Sequence, residues 1–219
     1  MTEPVKPQTA DYTRRRARAK ATRARILEAA RKLFIERGFV ATTVDSIATR
    51  ADVAAETIYS TFGTKRALLA EVVDITIAGD VAAPPVMDQA WVRQMQAEPD
   101  PHRRLAILAT NGAAILARRA AIDAVVSAAA ASDPGIAFLR DSGKAQRLAG
   151  QRELLRIVAG TSGWRSGLDL DGAADATYAI GSPETYRLLV AERGWSAKRF
   201  DRWYAETLER LLLPERVGS

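Results

Sequence analysis

Apolar residues in the first third of the chain repeat with the spacing of α-helices. From Thr22 onward, one stripe is formed by Ile26, Leu27, Ala30, Leu33 and Phe34. These positions fall on a single face of a helix. Gly38 then supplies a C-terminal stop, after which Phe39 can fold back onto the stripe. The pattern predicts a first amphipathic helix that ends at Gly38.

Two shorter helices joined by a tight turn follow the first helix. Thr43 is a good N-cap for the second helix, whose inner face consists of Val44, Ile47, Ala48 and Ala51. Residues 52–54 form the turn, and a third helix is predicted over 55–61. A pair of short helices at a steep angle can place the second of them in the major groove of DNA. This part of the sequence therefore predicts a helix-turn-helix motif.

The rest of the chain also has the pattern of helices. Thr64 caps a fourth helix that runs to about Ala78, and residues 79–85 are a composition break. Beyond it, helices are predicted over 86–97, 102–118, 120–131, 134–159, 171–193 and 196–212. Strand-like alternation is nowhere sustained, so the fold class that we expect is all-α.

These elements divide into a small N-terminal part and a larger C-terminal part. We expect a three-helix, helix-turn-helix head over 22–68 and a helical body over 69–219. Residues 1–21 are predicted to be a flexible basic arm, although their basic run could also extend the first helix. Pro183 lies within the helix predicted over 171–193, so either that helix is kinked or a new helix starts only at Ser182.

Charge is distributed unevenly between the two parts. The whole chain carries a formal net charge of +6, and residues 1–66 hold 14 lysines and arginines against 7 aspartates and glutamates, a balance of +7. The whole positive excess therefore lies in the first third. This asymmetry favours a head that binds nucleic acid on a nearly neutral body.

The composition argues against several other classes of protein. The chain has no cysteine and a single histidine, so we expect no disulfide, thiol nucleophile, metal site or cofactor. That histidine, His102, is expected to be exposed. No phosphate-binding loop or catalytic set is visible, which argues against an enzyme. No secretory signal or uninterrupted apolar run of about 18 residues occurs, so we expect no membrane partner.

The head resembles a known family of regulators. The segments Thr22–Gly38, Thr42-Thr-Val-Asp-Ser-Ile-Ala48 and Thr57-Ile-Tyr-Ser-Thr-Phe-Gly-Thr-Lys65 are similar to the TetR (tetracycline-repressor-like) family of transcriptional regulators. The segment from Ser182 to Ser196 also resembles the C-terminal end of one subgroup. Two positions depart from the family pattern, with Asp52 in place of a turn glycine and Ala54 in place of a serine N-cap.

The resemblance implies a bacterial, cytoplasmic regulator associated with the nucleoid through double-stranded DNA. It implies a homodimer whose two third helices enter the major groove at the half-sites of a palindromic operator. It also implies a body that binds a small-molecule effector of unknown identity, here an apolar or amphipathic compound that releases a repressor from DNA. A DNA-binding regulator whose body binds a protein partner instead is the alternative.

Candidate DNA contacts divide into those that position the protein and those that read bases. Thr43 and Lys65 lie at helix N-termini, which favour a phosphate, and the resemblance assigns Tyr59 to the DNA backbone. The basic arm could reach the minor groove or phosphates, or be a solubilising tail. Glu56 could accept a hydrogen bond from cytosine or be a solvated acid. The complete set of candidates is Arg14, Arg15, Arg16, Thr43, Ala55, Glu56, Thr57, Tyr59, Ser60, Thr61 and Lys65.

The body offers candidates for an interface and for a pocket. The last two helices have apolar faces that form either protomer core or, as the resemblance implies, a four-helix dimer interface comprising Tyr186, Leu189, Val190, Phe200, Trp203, Tyr204, Leu208 and Leu211. Asn111 interrupts an apolar stretch, where it lines a pocket or bonds a neighbouring backbone group. The candidate ligand-binding residues, which could equally be plain core, are Trp91, Met95, Ile107, Asn111, Ile115, Phe138 and Leu148.

Overall fold

A computed structural model of the protein describes residues 8–160 and 163–215. These residues contain ten α-helices and no β-strand. The all-α fold expected from the sequence is therefore confirmed for this part of the chain. Contacts divide the chain into two units, with the border between Val72 and Val73. The sequence placed that border between residues 68 and 69.

The first unit contains α1 (Gln8–Ala41), α2 (Val44–Ala51), α3 (Ala55–Phe62) and the first half of α4 (Lys65–Ala78). The predicted stripe on α1 is buried from Ile26 to Phe34. Gly38 has φ 77° and ψ 169°, so the regular part of α1 ends there as predicted. The ring of Phe39 folds back to a centroid distance of 5.7 Å from that of Phe34.

The N-terminal basic run differs from the separate arm that the sequence suggested. Residues 8–21 form the first part of α1, which agrees with the alternative of a helical extension. Arginine, lysine and alanine favour helices, and neither glycine nor proline occurs between residues 8 and 37. Of the predicted arm, residues 1–7 lie outside the described part of the chain.

The second unit is built around one long helix. It contains the end of α4, a short 3-10 turn (Val86–Asp88) and α5 (Ala90–Ala97), followed by α6 (Pro101–Ala129), α7 (Pro134–Ala159), α8 (Leu170–Ile180), α9 (Pro183–Tyr186) and α10 (Ala197–Leu212). A π-helical segment (Arg187–Glu192) continues α9. The central helix α6 packs against α5, α7, α9 and α10.

The sequence split α6 into two helices, over 102–118 and 120–131, and this division was wrong. The structure has one helix of 29 residues, because Arg118, Arg119 and the alanines around them are good helix formers with no breaker between them. By length and composition alone α6 could cross a membrane. It is instead the central packing element of the body, whose residues such as Leu105, Ala113 and Ile122 are buried.

The region around Pro183 follows the second of the two predicted alternatives. α8 ends at Ile180, and a separate helix begins at Pro183. The backbone N–H of Thr185 donates to Oγ of Ser182 over 3.0 Å, so Ser182 is the N-cap. Proline is tolerated at a first helical position because its missing N–H has no partner to lose there.

Candidate nucleic-acid interface

The turn between α2 and α3 has the geometry that a helix-turn-helix motif needs. Asp52 adopts a left-handed conformation with φ 52° and ψ 56°. The backbone N–H of Val53 donates to the carbonyl of Ala48 over 3.1 Å, which closes the end of α2. Asp52 therefore occupies the position where the family pattern has glycine, since aspartate tolerates this conformation better than most residues.

The N-terminus of α3 lacks a side-chain cap, as expected from Ala54. The backbone of Ala54 is extended, and its side chain makes no cap hydrogen bond. Replacing a capping serine with alanine costs about 0.5–2 kcal/mol of helix stability. Burial of Ile58 and Phe62 packs α3 against the other helices of the head.

α3 presents a polar and partly aromatic surface to solvent. Glu56, Tyr59, Ser60 and Thr61 are exposed, and Ala55 and Thr57 are half-buried. Tyr59 is 54% exposed, so its ring and hydroxyl are both accessible on the surface of the head. The hydroxyls of Ser60 and Thr61 both donate to the carbonyl of Thr57, over 3.1 and 2.6 Å. The structure thus places all six predicted α3 residues along one short helix.

Thr43 begins α2 with a reciprocal capping box. The N–H of Ser46 donates to Oγ1 of Thr43 over 3.1 Å, and the N–H of Thr43 donates to Oγ of Ser46 over 3.2 Å. This arrangement fixes the exposed first turn of α2. The predicted contacts Arg14, Arg15 and Arg16 are exposed on the first part of α1.

Lys65 has a role that the sequence analysis did not anticipate. It was interpreted as a surface contact to phosphate, but its ammonium donates to the carbonyls of Phe39 and Thr42 over 2.9 and 2.7 Å. The ammonium also lies 4.3 Å from the centroid of the Phe39 ring. These bonds tie the start of α4 to the turn between α1 and α2. The side chain is therefore engaged within the head.

Two further contacts hold the head together and were missed from the sequence. Arg23 of α1 forms an ion pair with Glu71 of α4, and its guanidinium lies 4.8 Å from the centroid of the Phe62 ring. The buried Thr42 donates its hydroxyl to the carbonyls of Gly38 and Leu33, over 2.7 and 3.1 Å. A polar residue directly after a helix stop was the available signal for Thr42.

The candidate pocket residues lie in different surroundings within the body. Met95 is fully buried, and Trp91, Ile107 and Leu148 pack against the same core. Ile115 is half-buried. Asn111 donates to the carbonyl of Ile107 over 2.8 Å, which matches the alternative of a backbone bond. Phe138 is 76% exposed, so its side chain lies on the surface.

Four of the eight predicted interface residues belong to the core of the protomer. Tyr186, Phe200, Tyr204 and Leu208 are each at most 8% exposed, because α9 and α10 turn these side chains toward α6. The rings of Tyr186 and Phe200 are 4.7 Å apart. Their side chains are therefore unavailable to a partner. Leu211 is 39% exposed, and Leu189, Val190 and Trp203 are partly buried.

Two polar contacts connect elements of the body and were not expected from the sequence. His102 was expected to be exposed, but its Nδ1 lies 2.7 Å from Oε1 of Glu209 and its side chain is only 14% exposed. Arg118 of α6 donates to the carbonyls of Thr76 and Ile77 over 3.2 Å each. These carbonyls belong to the last turn of α4, so Arg118 caps that helix. Burial lowers the pKa of Arg118.

Residues 26–72 match the sequence profile of bacterial regulatory proteins of the tetR family. The matched segment begins in the buried stripe of α1 and ends within α4. It therefore contains α2, the turn and α3. Among curated proteins, none matches the sequence of this chain.

Solved structures with low sequence identity share the fold over most of the chain. The crystal structure of a protein from Saccharomonospora viridis, described as a transcriptional regulator and solved in complex with choline, is 20% identical in sequence. Its TM-score is 0.65, and the match covers 88% of this chain and 98% of that one. NalD of Pseudomonas aeruginosa, the secondary repressor of the MexAB-OprM multidrug efflux pump, is 21% identical with a TM-score of 0.64, covering 89% and 98%. FadR of Bacillus subtilis, in complex with stearoyl-CoA, is 17% identical with a TM-score of 0.65, covering 84% and 96%.

Proposed function

We propose that this chain, whose residues 26–72 match the tetR family of bacterial regulatory proteins, is a ligand-responsive repressor. It binds a palindromic operator as a homodimer and is released by a small apolar or amphipathic effector. Such a protein acts in the cytoplasm, at the DNA. The observation that carries this proposal is the exposed surface of α3, which a capped and tightly bonded head presents to solvent.

The DNA contacts that we propose follow from exposure and chemistry. Tyr59 and the backbone at the N-termini of α2 and α4 contact phosphates, which fixes the position of the head. Ala55, Glu56 and Thr57, at the start of α3, are placed to contact base edges or thymine methyl groups. The arginines of α1 add sequence-independent attraction to the phosphate backbone.

The dimer that we propose uses the outer surfaces of α9 and α10. Leu211 and the partly buried Leu189, Val190 and Trp203 remain from the predicted interface. The π-helical segment after α9 adds Leu188, which is 49% exposed. Two such helix pairs related by a twofold axis would bury these side chains in a four-helix arrangement.

The switch that we propose runs through α4. This helix starts at Lys65, beside the turn of the head, and its last carbonyls are bonded by Arg118 of α6 in the body. An effector that displaces α6 therefore acts on the end of α4. Two half-sites on DNA fix the spacing of the heads, so a small change in α4 lowers affinity. The Saccharomonospora viridis structure in complex with choline and the structure of Bacillus subtilis FadR in complex with stearoyl-CoA support small-molecule binding by this fold.

DNA binding by the full chain is expected to weaken steeply with salt. Each neutralised phosphate adds about −0.9 to the slope of log K against log salt, so a dimer that contacts about four phosphates loses on the order of 100-fold between 50 and 200 mM. Fluorescence anisotropy with a labelled operator fragment measures this slope. Scrambled DNA of equal length should bind more weakly, and its slope isolates the sequence-independent part. An affinity that is constant over this range would contradict electrostatic attachment through residues 1–66, which carry a balance of +7.

A further inference from the structure

A charged groove in the wall of the body lies between α4, α6, α7 and α9. Its apolar lining consists of Val73 of α4, Val126 of α6, Leu139 of α7 and Pro183 of α9. The groove has a cavity volume of about 40 Å³ and is partly open to solvent. That space holds a few water-sized groups, or one carboxylate. It does not coincide with the pocket that the sequence predicted.

A buried ion pair forms one side of this groove. Arg119 and Asp123 of α6 have side chains only 11% and 18% exposed. Nε of Arg119 donates to Oδ2 of Asp123, and Nη2 donates to Oδ1 over 3.0 Å. A buried ion pair often contributes less to the free energy of folding than apolar side chains of similar volume would, because both charges must be desolvated. Stability alone therefore does not account for this pair. Three of the five guanidinium N–H groups of Arg119 have no acceptor among the described residues.

Positive charge exceeds negative charge along the groove. Arg119, Arg140, Lys144 and Arg147 line it, against Asp123 and Glu184. Arg147 donates to the carbonyls of Tyr178 and Gly181, so it is fixed in place. The pKa of Asp141, at the same end of α7, is lowered by its hydrogen bond from Arg140 and by the nearby charges of Arg140 and Lys144. The electrostatic field here favours an anion.

The floor of the groove has room for a bound group. Gly143 faces it from α7, one helical turn before Arg147, and a Cβ at this position would meet nothing within 4 Å. Lys144 is exposed beside it and makes no ion pair within residues 8–160 and 163–215. A headgroup that enters past Gly143 therefore meets Lys144 and the unused face of Arg119. A chain attached to it would leave the groove along the half-buried Leu139, since Val73 and Val126 are themselves buried.

We propose that this groove binds the anionic headgroup of an amphipathic molecule, between Arg119 and Lys144, with Asp123 as the internal carboxylate that the ligand competes against. The molecule combines a carboxylate or phosphate with an apolar chain. Because Val73 of α4 lines the groove, a ligand bound there would act on the helix that leads to the head. This regulatory consequence rests on the proposed function, whereas binding in the groove does not.

Calorimetry on the full chain with three probes tests the chemistry of the site. Dodecanoate supplies the anion and the chain, dodecyltrimethylammonium supplies the same chain with a cation, and inorganic phosphate supplies an anion alone. The two amphiphiles are used below their critical micelle concentrations. We expect dodecanoate to bind at least about tenfold more tightly than the other two, the equivalent of one charge-assisted hydrogen bond. Equal affinity for the cationic probe would overturn the proposal.

Variants of opposite expected sign locate the site. Asp123→Asn removes the internal competitor and should tighten dodecanoate binding about tenfold, whereas Lys144→Gln should weaken it by a similar factor. Lys198→Gln, at an exposed position of α10, is the matched control and should change nothing. If Asp123→Asn does not fold, Lys144→Glu tests the site instead, because Lys144 is exposed and its replacement should not affect folding. An unchanged affinity of Lys144→Glu for dodecanoate would contradict binding in this groove.

DNA affinity measured in the same samples separates the two proposals. In one outcome, dodecanoate binds with the affinities expected for the variants and leaves operator affinity unchanged. That result supports binding in the groove and contradicts a role of the groove in the switch. Loss of operator affinity with no response to Lys144→Gln or Asp123→Asn supports an effector-driven switch and contradicts this groove. A chain that binds dodecanoate but no DNA would retain the site and overturn the proposed function.

Discussion

Replacing Lys65 with methionine is expected to loosen the turn between α1 and α2 and to reduce DNA affinity at the same time. The ammonium bonds two carbonyls in that turn, and each hydrogen bond to a charged group contributes about 1.5–3 kcal/mol. Partial exposure and competing water reduce the sum, so we expect a local loss of about 2 kcal/mol. Methionine keeps an unbranched side chain of similar length and removes the charge together with the N–H donors that bond the two carbonyls.

Hydrogen exchange of the amides of residues 39–52 measures the local effect. A loss of about 2 kcal/mol raises exchange through local opening about 30-fold. Lys32→Met is the matched control, because Lys32 makes only a surface ion pair with Glu28 at 3.5 Å, which is worth less than about 1 kcal/mol. If Lys65→Met lost DNA affinity with unchanged exchange, the side chain would act on phosphate rather than on the turn.

Replacing Tyr59 with alanine is expected to weaken DNA binding about 10- to 100-fold without changing the unfolding temperature. The side chain is 54% exposed, so the head loses little buried area. The variant loses the phosphate contact of the Tyr59 hydroxyl and the packing of the Tyr59 ring on the DNA backbone. Together these losses reduce the binding free energy by about 1.4–2.8 kcal/mol. Because phosphates carry no sequence information, operator and scrambled DNA should weaken by similar factors.

Two companion variants separate the possible roles of α3 residues in the same anisotropy assay. Tyr59→Phe keeps the ring and removes the hydroxyl, so it divides the effect between packing and hydrogen bonding. Thr57→Val, at a proposed base contact, should change which operator bases are preferred and leave affinity for scrambled DNA nearly unchanged. A Tyr59→Ala protein with full operator affinity would place that residue outside the interface.

Local patterns in the sequence accounted well for the head. The stripe from Ile26 to Phe34, the stop at Gly38 and the caps at Thr43 and Thr64 depend on neighbours within a few residues, and the structure has each of them. The helix-turn-helix motif could therefore be predicted before any tertiary contact was known. Its tolerance of Asp52 at the left-handed position followed from conformational preference alone.

The structure departs from the expectations drawn from the sequence where tertiary contacts decide the surroundings of a side chain. Lys65 meets carbonyls 23 and 26 residues earlier in the chain, and no local pattern reports such a pairing. The apolar pattern of α10 is the same for a helix in the core of the protomer and for one in an interface. Phe200 and Tyr204 were therefore predicted to lie in the interface, whereas they are buried in the protomer. Phe138 was assigned to an interior pocket because apolar residues usually lie inside, although single exposed ones are common. The charged groove was missed because its residues come from four helices.

Selection of DNA from a random pool by the purified full chain tests the central claim most directly. A dimer that reads DNA with one α3 per half-site should enrich inverted repeats, with half-site centres about 10–10.5 base pairs apart or a multiple of that spacing. Sedimentation of the complex should give an even number of chains on each selected site. Recovery of no common motif, or of a single unrepeated half-site bound by one chain, would contradict a dimeric, sequence-specific regulator.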